Sequence, residues 1–189
     1  MPTPDLYIAL LHYPVYNKHG DVVTTAVTNL DIHDISRAAR TYGVKKFFII
    51  TPFEEQKTLV TRIMDHWREG YGAAFNPLRG EALATTEIKE SLEEVVAHLE
   101  EKSGGRKVNL VVTGASLRDN IVPLDTLRKK IHEGTDAYLL VFGTGWGIAG
   151  EVIERADHCI EPIRGPSDYN HLSVRSAVSI VLDRLLGIS

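Results

Sequence analysis

A glycine-rich run, FGTGWGIAG at residues 142–150, is the part of this sequence most typical of ligand binding. Gly145, Gly147 and Gly150 satisfy the G-x-G-x-x-G pattern of dinucleotide-binding proteins, where glycine lets backbone amides approach a ligand closely. That fold needs at least two more strands with crossover helices, for which residues 151–189 leave little room. The run therefore predicts a strand-to-helix turn that either lines another ligand site or is only a tight turn, with a nicotinamide or flavin oxidoreductase as an alternative.

A dense group of polar residues occupies the opening segment, and it could serve recognition, capping or metal binding. Its members are His12, Tyr13, Asn17, Asn29, Asp31, His33 and Asp34. Histidine and aspartate can ligate metals, but the group has no tight zinc spacing such as H-x-x-x-H, so we predict no metal site. We expect substrate recognition instead, through His12, Tyr13, Asn17, Asn29 and Asp34.

Two charged residues outside the glycine run have both a catalytic and a structural interpretation. Arg37 offers a fixed guanidinium fork suited to phosphate, or it is a helix-surface arginine paired with Asp34. Asp168 in RGPSDYN is either a general base or an ordinary turn or capping residue. The residues alone leave both choices open.

Composition and charge set limits on the class of protein. The 189 residues are 43% hydrophobic and 24% charged, enough for one domain with a buried core, and we expect a single domain over residues 1–189. The net charge of −4 argues against indiscriminate nucleic-acid binding without excluding a local RNA-binding patch. The single cysteine, Cys159, is expected to be a buried free thiol. We predict a cytoplasmic protein with no secretion signal and no membrane-spanning segment.

The elements that must position these residues alternate between strands and helices. We predict strands at 5–13, 44–51, 107–113, 136–142 and 158–162, and helices at 31–42, 54–71, 88–102, 124–132, 147–156 and 172–186. Residues 72–86 are predicted to be a long loop, and Asp31 is predicted to cap the first helix. Such alternation predicts an α/β fold, a mostly parallel sheet with helices on both faces. Ligands of these sheets bind at the carboxyl ends of strands, which directs attention to Thr113–Gly114, Gly143–Gly147 and Pro162–Gly165.

Three segments in fixed order resemble the SPOUT family of RNA methyltransferases. TNLDIHDISRAARTYG (28–43) is similar to its first motif, LLVFGTGWGIAGEVIERADHCIEPI (139–163) to its second, and NHLSVRSAVSIVLDRLL (170–186) to its third. The likeness is greatest to the bacterial family related to the tRNA guanine-N1 methyltransferases, and it covers nearly the whole chain. Ser173 and Arg175 depart from the third motif, which usually has asparagine and a small polar residue at these positions.

This resemblance implies a cofactor, an RNA substrate and roles for particular residues. It implies that S-adenosylmethionine binds in a C-terminal trefoil knot, that two chains form a homodimer, and that a tRNA or rRNA base is methylated. Arg37 would orient RNA or polarise the acceptor, and Asp168 would be the general base. The expected cofactor-binding residues are Thr113, Gly114, Gly143, Thr144, Gly145, Gly147, Ile160, Pro162, Ile163, Asn170, Leu172 and Ser173. A non-catalytic module of the same fold is an alternative.

Overall fold

The structure is a computed structural model that describes residues 4–115, 117 and 119–188, and it contains nine strands and eight helices within those residues. The strands are β1 (Leu6–Leu11), β2 (Val15–Tyr16), β3 (Val22–Val23), β4 (Lys46–Ile50), β5 (Thr86–Lys89), β6 (Val108–Val112), β7 (Ile121–Val122), β8 (Ala137–Gly143) and β9 (His158–Ile160). The helices are α1 (Asn29–Thr41), α2 (Glu54–Arg68), α3 (Tyr71–Phe75), α4 (Pro77–Leu83), α5 (Leu92–Lys102), α6 (Leu124–Glu133), α7 (Gly150–Glu154) and α8 (Val174–Leu186).

Seven strands form one sheet in the order β5-β4-β1-β8-β6-β9-β7, and all neighbouring pairs are parallel. The remaining two, β2 and β3, form a short antiparallel hairpin. The prediction of a parallel α/β sheet is confirmed. β9 lies between β6 and β7, so the chain leaving β6 passes the position of β9 before it returns as β7.

Alternating side chains of the central strands pack into two separate cores, one on each face of the sheet. Because both faces are covered, β1 and β8 lack a polar–apolar alternation and are almost wholly apolar. Helices α1, α2, α4, α6 and α8 bury their apolar residues on one face, and α5 and α7 do so on the other. Cys159 is buried and free in the second core, as expected.

The first helices differ in detail from the sequence prediction. α1 begins earlier, because Thr28 rather than Asp31 is its N-cap and its hydroxyl accepts a hydrogen bond from the Asp31 amide. α2 ends at Arg68, and its buried positions are Val60 and Met64. Leu59 of the same helix is 48% exposed.

The predicted loop at 72–86 was wrong, and so was the start of the helix that follows it. Residues 71–83 form α3 and α4, with Asn76 as the N-cap of α4 and Pro77 in its first turn. Thr86–Lys89 is an edge strand, and the next helix begins after its cap at Ser91. Within the described ranges, no helix is long and apolar enough to cross a membrane.

Candidate functional site

The three predicted ligand-binding turns follow three neighbouring strands at the carboxyl edge of the sheet. Val112 of β6 is in register with Val141 of β8 on one side and with Cys159 of β9 on the other. The Thr113 amide extends this pairing by donating to the Val141 carbonyl (3.0 Å). The turns at Thr113–Gly114, Gly143–Gly147 and Pro162–Gly165 therefore leave adjacent strands side by side, as a ligand cleft of an α/β sheet requires.

The β2–β3 hairpin holds the second of these turns, Gly143–Gly147, which we call the glycine turn. Tyr16 makes three of the contacts: its carbonyl accepts from the Trp146 amide (3.0 Å), its amide donates to the Gly147 carbonyl (2.8 Å), and its hydroxyl accepts from the Gly150 amide (2.9 Å). Tyr16 was not among the residues predicted to belong to a site. Its only local indication was its place in the polar opening segment.

Two glycines of the turn are required by neighbouring protein atoms. A Cβ on Gly143 would lie 2.5 Å from Cγ1 of Ile148. Gly145 has a φ of +61°, and a Cβ there would lie 2.9 Å from the Tyr16 carbonyl oxygen. Packing against the hairpin and Ile148 thus explains these glycines, whereas a Cβ on Gly147 would meet nothing within 4 Å.

A chain of hydrogen bonds ties His12 at the end of β1 to the glycine turn. The Thr144 hydroxyl donates to the Leu11 carbonyl (3.0 Å), so the Thr25 hydroxyl must donate to Thr144. The Thr25 oxygen is then free to accept, and neutral His12 must donate to it from Nδ1 (3.0 Å). Nε2 of His12 therefore carries a lone pair, and it has no hydrogen-bond partner in the described part of the chain. The Thr144 hydroxyl already donates its single proton to the Leu11 carbonyl, so it cannot donate a hydrogen bond to a ligand.

His12 is fully buried, and burial lowers its pKa from 6.5 to about 4 despite the opposing influence of the Asp31 charge and of a hydrogen bond to the Thr25 backbone. We expect stability to fall as the pH drops from 7 to 5, because the unfolded chain then binds a proton that folded His12 rejects. This effect amounts to about 2 kcal/mol over that range. Urea unfolding at both pH values should show a smaller fall for His12→Asn. His33 and His158, whose pKa values are also lowered mainly by burial, remain in both proteins; equal falls would contradict the assignment.

The loop that leads from β9 to α8 lies against the turn after β6. The Asn170 side-chain amide donates to the Ala115 carbonyl (3.4 Å), which joins the two segments. Ile160 is buried, Pro162 and Ile163 are half-buried, and Asp168, Tyr169 and Leu172 are exposed. Ser173 caps α8 by accepting from the Ser176 amide (3.3 Å), so its expected contact with a cofactor would use the remaining capacity of that hydroxyl.

The predicted substrate residues of the opening segment separate into buried, turn-forming and exposed positions. Asn17 organises the hairpin turn: its oxygen accepts from the amides of His19 and Asp21, and its amide donates to the Asp21 carboxylate. That role accounts for Asn17 without a substrate. Tyr13 and Asn29 are exposed, and buried His12 is not on the surface.

Arg37 is exposed on α1, and its expected partner Asp34 is paired with another residue. Arg175 of α8 binds the Asp34 carboxylate (2.9 Å) and also lies 3.4 Å from a carboxylate oxygen of Asp31. Across the described residues, Arg37 itself forms no side-chain ion pair or hydrogen bond. The structural interpretation, in which Arg37 pairs with Asp34, was therefore wrong for this structure.

Comparison with known proteins decides the family. Residues 5–187 match the family model described as SAM-dependent RNA methyltransferase. The chain belongs to this family of methyltransferases. A protein of Aquifex aeolicus is 40% identical over 185 residues, covering 98% of this chain and 90% of that protein. A tRNA (guanine-N1)-methyltransferase of Nitratidesulfovibrio vulgaris is 42% identical over 187 residues, covering 98% of this chain but only 43% of that protein.

Solved structures agree on the fold of this methyltransferase. The SpoU methyltransferase AviRb from Streptomyces viridochromogenes, solved with AdoMet, superposes with a TM-score of 0.63 over 97% of this chain and 57% of its own, at 14% identity. An Aquifex aeolicus TrmH/SpoU tRNA-modifying enzyme gives 0.53 over 97% of this chain and 74% of its own, at 21% identity. The methyltransferase hypothesis is confirmed over the oxidoreductase and the non-catalytic module.

The groups at the three strand ends fit the methyltransferase's cofactor, S-adenosylmethionine. Within the described residues, the Thr113 hydroxyl and the Gly145 amide have no hydrogen-bond partner, so both can bind polar edges of a nucleoside or of an amino-acid tail. In the loop that follows β9, Ile163 is half-buried and Leu172 is exposed, so both present apolar surface. No three His, Cys, Asp or Glu side chains of the described ranges come together as metal ligands. The polar groups that fit the cofactor are therefore backbone groups and the Thr113 hydroxyl. The side-chain amide of Asn170 already donates a hydrogen bond to the Ala115 carbonyl.

Tyr16→Phe should lower the free energy of unfolding of the methyltransferase by about 1 kcal/mol, because the Gly150 amide loses its acceptor. Urea unfolding followed by circular dichroism measures the change. Tyr13→Phe is the matched control, since Tyr13 is exposed and its hydroxyl makes no hydrogen bond within the described residues. Equal stability of the Tyr16 variant and the wild type would show that the contact between the Tyr16 hydroxyl and the start of α7 does not stabilise the fold.

Proposed function

We propose that this methyltransferase methylates N1 of a guanine in tRNA, with S-adenosylmethionine bound across the three strand-end turns. One observation supports this cofactor site above all. Strands β6, β8 and β9 are neighbours in the sheet, so the turns that follow them lie at the same edge of the sheet although they are far apart in sequence. The choice of tRNA and of guanine N1 is supported by the printed names of two relatives at 40% and 42% identity. The chain spans 43% of each of those proteins, so their activity is carried to it only as part of this proposal.

Methylation at guanine N1 requires a base as well as a bound methyl donor. Bound S-adenosylmethionine supplies an electrophilic methyl group on sulfonium. N1 forms a bond to that carbon as the bond to sulfur breaks, and the N1 proton must go to an acceptor. We propose the Asp168 carboxylate as this acceptor, because it is exposed in the loop that Asn170 ties to the turn after β6.

We propose that Arg37 binds the RNA backbone next to the acceptor base. Its guanidinium is exposed and unpaired among the described residues, whereas the carboxylate nearest in sequence is held by Arg175. A guanidinium fork matches two phosphate oxygens at once, which suits it to orienting RNA. Tyr13 and Asn29 are exposed in the same opening segment and are the proposed substrate contacts, whereas the Asp34 carboxylate is bound by Arg175 and His12 is buried.

The assembly and topology are further parts of this proposal. We infer a homodimer, supported by Leu30 at the start of α1 and Leu172 before α8, which are 57% and 47% exposed. We also infer a C-terminal trefoil knot, supported by the position of β9 between β6 and β7, which are joined by the connection after Thr113. A cytoplasmic location follows from an RNA substrate and a free cysteine.

Nucleoside analysis tests the reaction. Bulk tRNA and rRNA from a strain that lacks the gene are incubated separately with the protein and labelled S-adenosylmethionine, then digested and analysed by mass spectrometry. We expect 1-methylguanosine as the labelled nucleoside. A label on ribose or on another base would contradict the proposed acceptor, and labelled rRNA alone would contradict the proposed substrate. Light scattering should give twice the chain mass of 21.0 kDa, and a monomer would contradict the dimer.

A further inference from the structure

Arg175 binds two carboxylates of another helix from an electrostatically unfavourable place. It lies in the first turn of α8, where the amide groups of the helix already concentrate positive charge. There its guanidinium lies 3.4 Å from Asp31 and 2.9 Å from Asp34, both on α1. The Asp31 side chain is 11% exposed and that of Asp34 is 43% exposed, so one of the two carboxylates lies in the interior and the other near the surface.

Neither carboxylate needs Arg175 in order to form α1. Asp31 lies in the first turn of α1, where a negative charge is favourable, and it also accepts a hydrogen bond from the Thr28 hydroxyl (2.6 Å). Asp34 lies three residues before Arg37, which is the spacing at which opposite charges attract on a helix. Without Arg175, Asp34 would have Arg37 as its neighbouring cation.

The surface around Arg37 holds further positive charge. The His33 ring lies 5.5 Å from the Trp67 ring between centroids. The pKa of His33 is lowered mainly by burial and then by the charge of Arg79, with Asp34 opposing the shift and Arg37 adding to it. Arg79 stacks over the ring of Trp67, with 4.6 Å between its guanidinium carbon and the ring centroid. Asp31 and Asp34 are the acidic residues of α1, and Arg175 is bound to both.

We propose that Arg175 is a positioning residue for RNA binding: by neutralising Asp31 and Asp34 it keeps Arg37 available to an RNA phosphate. This inference rests on the proposed function, in which Arg37 contacts RNA. It gives a reason for the arginine that departs from the third-motif pattern. Removing Arg175 leaves two uncompensated carboxylates beside the phosphate site, one of which can pair with Arg37.

Affinity for tRNA tests the role of Arg175. We expect Arg175→Ala to weaken tRNA binding about tenfold at low salt, with unchanged affinity for S-adenosylmethionine. Arg175→Lys keeps the neutralising charge and should stay within about twofold of the wild type. Arg184→Ala is the matched control, because it removes an exposed arginine from the other end of α8. All four proteins are compared by filter binding, and thermal unfolding establishes that they are folded.

The decisive variant is the double substitution Arg175→Ala, Asp34→Asn. Since Asp34 can no longer capture Arg37 or repel a phosphate, we expect tRNA affinity to return to within about threefold of the wild type. A purely structural role for the ion pair predicts no such rescue, because the pair is absent from both variants. An unrescued double variant, or an Arg175→Ala protein that binds tRNA normally, overturns this inference alone. A wild-type protein that binds S-adenosylmethionine but no RNA overturns the proposed substrate, and this inference with it.

Discussion

Asp168→Asn is expected to slow methyl transfer about 10²- to 10⁴-fold, which is the usual contribution of a general base. The asparagine keeps the size and most of the hydrogen bonding of the side chain but cannot accept the N1 proton. Asp168 is exposed and forms no hydrogen bond or ion pair within the described residues, so neither the fold nor the affinity for S-adenosylmethionine should change. Single-turnover methylation of tRNA measures the rate, and calorimetry measures cofactor binding.

Asp125→Asn is the matched control for this experiment. Asp125 is an exposed aspartate in the first turn of α6, beside a cavity of about 480 Å³ that also includes Arg184 and Ile188. Of the residues that line this cavity, only Glu161 adjoins a strand-end turn, so the control should methylate at the wild-type rate. An Asp168→Asn protein that is as fast as this control would remove Asp168 from the mechanism and leave the base to be found elsewhere.

Gly145→Ala is expected to weaken S-adenosylmethionine binding about tenfold to a hundredfold. The alanine would introduce backbone strain of about 1–3 kcal/mol, and relieving that strain would move the turn out of its binding conformation. The alanine would be held at a φ of +61°, and its Cβ would lie 2.9 Å from the Tyr16 carbonyl oxygen. Because that oxygen is backbone, the collision is relieved only by separating the hairpin from the glycine turn. Isothermal titration calorimetry measures the affinity.

Gly104→Ala separates backbone strain from collision. Gly104 also has a positive φ, +72°, but a Cβ there would meet nothing within 4 Å. It lies between α5 and the amino end of β6, whereas the three turns follow the carboxyl ends of their strands, so the substitution should cost stability without changing cofactor affinity. If both alanine variants bound S-adenosylmethionine as the wild type does, the glycine turn would not be part of the cofactor site.

The sequence predicted the sheet well because its central strands are continuous apolar runs. Segments such as LYIALL in β1 and AYLLVFG in β8 are buried on both faces, which leaves little ambiguity about their structure. Predicting turns after β6, β8 and β9 was enough to locate one edge of a parallel sheet. That these three strands are neighbours depends on long-range pairing, which local periodicity does not contain.

Residues 72–86 were predicted to be a loop because glycine, proline and asparagine are frequent there. In the structure Asn76 is an N-cap and Pro77 lies in the first turn of α4, both of which are helix-starting roles. Gly72 is small because a Cβ would lie 2.6 Å from the Trp67 ring, a contact between two helices. The glycine, proline and asparagine residues of this segment thus serve helix packing and helix capping. Only the tertiary structure distinguishes these roles from those that the same residues have in a loop.

The hairpin contacts were missed for a similar reason. Tyr16 forms a hydrogen bond with Gly150, and Thr25 forms one with Thr144; in both cases the partner is more than a hundred residues away in sequence. Nothing in the local pattern marks either residue as different from other polar residues of the opening segment. The glycine pattern is visible in the sequence, but its physical cause, close packing of the hairpin on the turn, is a contact between segments far apart in the chain.

Amide hydrogen exchange with and without S-adenosylmethionine tests the central claim most directly. We expect a saturating concentration to slow exchange in all three strand-end segments, 113–115, 143–148 and 161–173, while α3 and α4 exchange as before. Protection confined to other segments, or saturable binding with no protection at these three, would contradict a cofactor site built from the carboxyl ends of β6, β8 and β9.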